Sequence, residues 1–124
     1  MPITAERVIP GLYYENWTGN ISADEVYESA QTRSRWARED EVPYYVIIMD
    51  GEHCKRLPLI SSLSSASKAH QAGKMQFMVV NLPSIHTFVV NMVGRFLPNP
   101  IETHANRDDA INAAKAVLEK HKST

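Results

Sequence analysis

Met75-Gln-Phe-Met-Val-Val80, Asn81-Leu-Pro83, Ser84-Ile-His-Thr-Phe-Val-Val-Asn-Met-Val-Gly-Arg-Phe96 and Ile101-Glu-Thr-His-Ala105 form the stretch whose reading decides the fold. Residues 75–80 are a short, nearly continuous apolar run, which fits a buried strand. Asn81 and Pro83 turn the chain, and Ser84 caps a helix beyond the turn. Ile85, Phe88, Val89, Met92, Val93 and Phe96 recur at helical spacing, so one face of this helix is predicted to meet a core. Pro98 and Pro100 close the helix, and Ile101 to Ala105 reads as a second, short strand. A strand, a helix and a strand in that order imply parallel neighbours.

The chain upstream continues the pattern. Residues 3–9 and 12–18 read as strands around a Pro10-Gly11 turn, predicting an antiparallel hairpin. Gly19-Asn20 is expected to turn the chain. Ser22-Ala-Asp-Glu25 is a capping box, and Ile21 can staple onto Val26. The helix it opens is expected to place Val26, Tyr27, Ala30 and Trp36 on its apolar side, with Arg33, Arg35, Arg38, Glu39, Asp40 and Glu41 in a charged later part, and to stop at Pro43. Tyr44-Tyr-Val-Ile-Ile-Met49 has the continuous apolar character of a central strand, ended by Asp50-Gly51. Residues 52–58 read as a polar loop. Residues 59–72 read as a marginal, serine-weakened helix ended by Gly73. Downstream, Asn106 caps a last helix whose inner face holds Ala110, Ile111, Ala114, Val117 and Leu118, with Asp108 and Asp109 in its first turn.

The sum is ββαβαβαβα. It predicts an α/β fold: a single mixed, mostly parallel sheet of four or five strands with about four helices, in one domain spanning residues 1–124. The net charge of −1, from 13 basic and 14 acidic residues, lacks the basic surplus of a general nucleic-acid binder. A single cysteine, Cys54, rules out an intramolecular disulfide. The opening Met1-Pro-Ile-Thr-Ala-Glu-Arg7 has no apolar run of the export type, so a cytoplasmic protein is expected.

Three segments give this order a family resemblance. They are Trp17-Thr-Gly-Asn-Ile-Ser-Ala-Asp-Glu25, Tyr45-Val-Ile-Ile-Met-Asp50, and Phe77-Met-Val-Val80 through Phe96-Leu-Pro98 to Ala105-Asn-Arg-Asp-Asp-Ala-Ile-Asn-Ala-Ala. Together they resemble the STAS fold and, more narrowly, the SpoIIAA-like family. The resemblance implies a small α/β module without chemistry of its own. Relatives include anti-sigma factor antagonists, switched by a phosphorylated serine at the start of the second helix. Others are thought to associate with membranes or to hold small apolar ligands between helices and sheet. The antagonist pattern has an Asp-Ser-Ser-Gly-like turn. Here the region reads Leu57-Pro-Leu-Ile-Ser-Ser62, with no acidic residue and no glycine, and Ser61 and Ser62 hold the position.

The leading expectation is a non-enzymatic regulatory or carrier module that binds a small apolar ligand or a membrane surface, with Leu63, Met78, Phe88 and Met92 lining the ligand site. The alternative is a protein-interaction switch phosphorylated at Ser61 or Ser62. Asp50 and Asn81 mark a further site, because open α/β sheets bind ligands near the carboxyl ends of their strands. Each also has a plainer reading: the serines as a cap and solvated face, the stripe as core, and Asp50 as a turn residue. A third reading, ranked last, is a small enzyme built on Cys54 and His53, since Lys55 and Arg56 would favour a thiolate. On the leading reading no catalytic residue is assigned, and no cofactor is expected. None of the five histidines has zinc-ligand spacing, so no metal is expected. Glycine-rich phosphate loops are missing too. Nothing in the sequence sets an oligomeric state, and a dimer stands beside the monomer.

Overall fold

A computed structural model of the chain describes residues 3–57, 75–81, 83 and 101–122. The elements are β1 (Ile3–Ile9), β2 (Leu12–Trp17), β3 (Gly19–Asn20), α1 (Ala23–Glu39), β4 (Tyr45–Asp50), β5 (Cys54–Arg56), β6 (Met75–Val80), β7 (Glu102–His104) and α2 (Arg107–Lys122). β1, β2, β4, β6 and β7 form one sheet in that order. β1 runs antiparallel to β2, as the hairpin reading required, and the other pairings are parallel. The fold class is therefore the expected mixed α/β sheet. The predicted helices over 59–72 and 84–96 lie outside the described residues.

Strand alternation sorts the core into two layers. Leu12, Tyr14, Val46, Ile48, Met78 and Val80 face α2, where Ala110, Ala114 and Leu118 cover them. Tyr13, Ile47, Tyr45 and Met75 face the other way, toward Ala37 of α1. Trp17, Met49 and Val79 continue that second layer against Ile21 and Val26. Val46, Ile47 and Ile48 are sealed completely, which is why β4 reads as an unbroken apolar run.

Local signals explain most element ends. Ser22 Oγ accepts the Glu25 N–H at 3.2 Å, and Glu25 Oε1 accepts the Ser22 N–H at 3.0 Å. The capping box is thus complete, and Ile21 and Val26 share one cluster as the staple requires. Asn106 Oδ1 accepts the Asp109 N–H at 2.9 Å and opens α2. At Gly11 the backbone sits at φ +88°, and an added Cβ would lie 3.4 Å from both Leu118 Cδ2 and the Tyr44 carbonyl.

Four expectations need correction. α1 stops at Glu39, ahead of Pro43. Val42 N–H donates to the Ala37 carbonyl and Glu41 N–H to the Arg38 carbonyl, with Glu41 at φ +54°. This is a Schellman ending, closed by backbone bonds before the proline is reached. Tyr27 is 45% exposed instead of facing the core. The buried stripe of α1 is Val26, Ala30, Arg33 and Ala37. Arg33, expected among the charged later part, is inside because an anion from β2 meets it there. Finally, Gly19-Asn20 does more than turn. It forms a small parallel sheet with β5, which lies in the stretch read as a loop. Gly19 N–H donates to the His53 carbonyl and Ile21 N–H to the Arg56 carbonyl, each at 2.8 Å. A two-residue strand is too short for alternation to announce it.

Candidate functional site

β4 and β6 end side by side, with Asp50 paired in register to Val80. Gly51 N–H donates to the Val80 carbonyl at 3.0 Å and carries the ladder one step further. Beyond it the chain leaves β6 through Asn81, held at φ +55°, a conformation that asparagine tolerates better than most residues. The two residues singled out from sequence are thereby brought together: Asn81 Nδ2 lies 3.5 Å from Asp50 Oδ2, a long contact.

Two further groups fix the carboxylate. Tyr14 donates its hydroxyl to Asp50 Oδ2 at 2.6 Å, the short distance of a charge-assisted bond. The Glu52 backbone N–H donates to Oδ1 at 3.1 Å, so Asp50 also does the work of a turn residue. Burial, then the bond to Asp50, push the Tyr14 phenol above its ordinary pKa, so it stays a donor at neutral pH. Arg107, the first residue of α2, lies with its guanidinium carbon 4.4 Å from the Tyr14 ring centroid, and its Nη2 is 3.3 Å from Glu6 Oε2. One strand further along the same row, His104 pairs in register with Val80, and its Nε2 sits 3.5 Å from Glu102 Oε1. The arrangement is a fixed polar corner at the carboxyl ends of parallel strands, able to present an oriented carboxylate and an amide. Tyr14 and Arg107 were missed from sequence. Tyr14 is 36 residues from Asp50, and nothing local marks the pair.

Met78, proposed for an apolar ligand, is fully buried under α2 beside Ile48 and Ala110. Leu63, Phe88, Met92, Ser61 and Ser62 lie outside the described residues. Cys54 lacks the electropositive, accessible setting of an activated thiol. It is buried among Trp17, Val26 and Val79, and burial pushes its pKa up. The neighbouring Lys55 and Arg56 are exposed, and His53 is 74% exposed beside Glu52. Among the described residues no three His, Cys, Asp or Glu side chains gather as a metal site, and no helix is long and apolar enough to cross a membrane.

No known family's sequence profile matches the chain, and no curated protein matches it. Solved structures do. The unphosphorylated form of the anti-sigma factor antagonist SpoIIAA aligns with a TM-score of 0.62 at 15% identity, over 91% of this chain and 97% of that one. An uncharacterized DUF3478 protein with a SpoIIAA-like fold from Shewanella loihica PV-4 aligns with a TM-score of 0.63 at 14% identity, over 90% and 91%. The phosphorylated form of SpoIIAA, a Bacillus cell fate determinant, aligns at 0.56 and 13%, over 90% and 97%. The chain therefore has a SpoIIAA-like, STAS-like fold. At these identities the likeness concerns the fold alone.

Proposed function

We propose that this chain is a non-enzymatic regulatory module that binds a protein partner over the carboxyl-terminal corner of its parallel strands. The observation that carries the reading is the fixing of Asp50 by Tyr14 and its approach by Asn81. Two residues from separate strand ends form one oriented polar surface at the carboxyl ends of the strands, the end at which open α/β sheets bind their ligands. The likeness to SpoIIAA, an anti-sigma factor antagonist solved with and without its phosphate, supports a partner-binding role of this kind. Phosphorylation at Ser61 or Ser62 is the switch that belongs to this reading. An apolar ligand is less favoured, because Met78 is closed into the core and a cavity there would have to open the α2 layer.

A photo-crosslinking residue at Asn81 tests the proposal in cells, with the same residue at the exposed Glu39 as control. A discrete adduct with another protein from position 81, weakened by Asp50→Lys, is expected. Equal adducts from both positions, or none, overturn it. The native mass spectrum separates the other readings. Extra mass lost on organic extraction favours an apolar ligand, whereas a phosphate mapped to Ser61 or Ser62 favours the switch.

A further inference from the structure

Among the described residues β1 pairs only with β2, so it is an edge strand of the main sheet. Among the described residues, no ladder partner meets the N–H and C=O groups on the other side of its backbone. Proteins usually shield such an edge with charge, proline or a bulge. Here the shields are confined to one half. Glu6 and Arg7 are adjacent, and the register shifts between Arg7 and Ile9. Arg7 is tied down further, 2.9 Å from Glu39 Oε1 and 4.8 Å over the Trp36 ring. The other half, Ile3-Thr4-Ala5, has no charge, no proline and no bulge, and Thr4 and Ala5 are exposed.

That bare half is one wall of a groove of about 350 Å3. α1 supplies the other wall, with Glu25 and Glu28 toward its start and Trp36 at the end that Arg7 covers. Among the described residues neither Glu25 nor Glu28 has a basic partner at ion-pair distance. Among the described residues, unpaired strand backbone thus lies beside two carboxylates that lack a cationic partner: Glu25, which gives one oxygen to the capping box, and the exposed Glu28.

We propose that the Ile3–Ala5 edge and this groove take an extended segment of a partner polypeptide carrying lysine or arginine at alternate positions. The segment's backbone continues the sheet beyond β1. Its period of two sends every second side chain to the α1 side, where Glu25 and Glu28 stand. Charge selects this occupant over a second copy of the chain. A two-fold pairing of β1 with itself that keeps each sheet face continuous sets residues of like parity opposite each other, so Glu6 never meets Arg7. The single cation of β1, Arg7, is moreover already paired with Glu39. The groove shares no lining residue with the Asp50–Asn81 pair, and the proposal does not rest on that corner.

The test is an amide-resolved NMR titration of the full chain with a synthetic peptide alternating threonine and lysine. A threonine–glutamate peptide and an alternately N-methylated lysine peptide serve as comparisons. Saturable shifts at Thr4, Ala5 and the Trp36 indole are expected with the lysine peptide. Glu25→Gln, which keeps the capping box, or Glu28→Gln should weaken binding up to about fivefold each. N-methylation should abolish it, because it removes the donors an added strand needs. An equal response to the glutamate peptide, undiminished binding after N-methylation, shifts centred on Asp50 and Asn81, or no saturable shift would each overturn the proposal. So would concentration-dependent shifts at Thr4 and Ala5 without peptide, which would assign the edge to a second copy.

Discussion

The guanidinium of Arg33 lies 3.2 Å from the carboxylate of Glu15, with side-chain exposures of 4% and 0%. The pair joins the middle of α1 to β2 inside the core layer. Trp17 Nε1 and Ser29 Oγ donate to the same carboxylate, so both of its oxygens have partners. Removing one charge strands the other in an apolar setting, which costs about 3–5 kcal/mol. Glu15→Gln and Arg33→Met should each cost close to that in urea unfolding. The double variant should cost clearly less than the sum, because no buried charge is left. Additive losses would show that the two residues act independently.

The two neighbouring tyrosines of β2 face opposite layers, and each donates to an aspartate: Tyr14 to Asp50, and Tyr13 to Asp40 at 2.9 Å. Burial, then the aspartate bond, raise both phenol pKa values in the folded state. The folded protein therefore keeps protons that the unfolded chain loses above its ordinary tyrosine value of about 10. Stability from this source is complete below that pH and falls as pH climbs toward the raised folded values. Tyr14→Phe should lower stability at neutral pH by about 1.5–3 kcal/mol, the cost of a bond to a charged group. It should also flatten the alkaline decline. Urea midpoints measured across the alkaline range check both.

Glu41 holds the left-handed position of the α1 ending at φ +54°. A side chain is strained there and glycine is not. Glu41→Gly should raise stability by about 1 kcal/mol, visible as a higher thermal midpoint with unchanged helix content.

Gly11 predicts the opposite sign. Its φ of +88° disfavours any side chain, although a Cβ there would only reach van der Waals contact with Leu118 Cδ2 and the Tyr44 carbonyl at 3.4 Å. Gly11→Ala should cost about 1–2 kcal/mol, read as a lower urea midpoint with the same slope.

Cys54 is buried and its thiol pKa is raised. Labelling by a maleimide at neutral pH should be slow and accelerate in sub-denaturing urea, because it must wait for local opening. Fast labelling by the native protein, slowed by His53→Ala, would revive the nucleophile reading.

The sequence carried the hairpin, the central strand, both helix caps and the pairing of parallel strands, because each rests on local chemistry that short segments reveal. Asp50 and Asn81 were legible for a similar reason: both follow an apolar run and end it. Glu15 was not. It sits among aromatics in β2, and its reason for burial lies 18 residues away on a helix whose charges read as solvated. The same gap hid Tyr14 and Arg107, whose contacts with Asp50 and Glu6 span 36 and 101 residues. Tyr27 was misplaced because an apolar ring at helical spacing competed with an arginine whose buried partner was invisible. Strand pairing as short as that of β3 and β5 has no periodicity to find.

That small pairing has a mechanical consequence. The bonds from Gly19 to His53 and from Ile21 to Arg56 tie the entry of α1 to the segment that leaves Asp50. The same two regions also meet in the core, where Ile21 and Val26 pack with Met49 and Cys54. A substitution that unpairs β3 from β5 should therefore loosen the α1 cap and the turn after β4 together, read as joint loss of amide-exchange protection at Glu25 and Glu52.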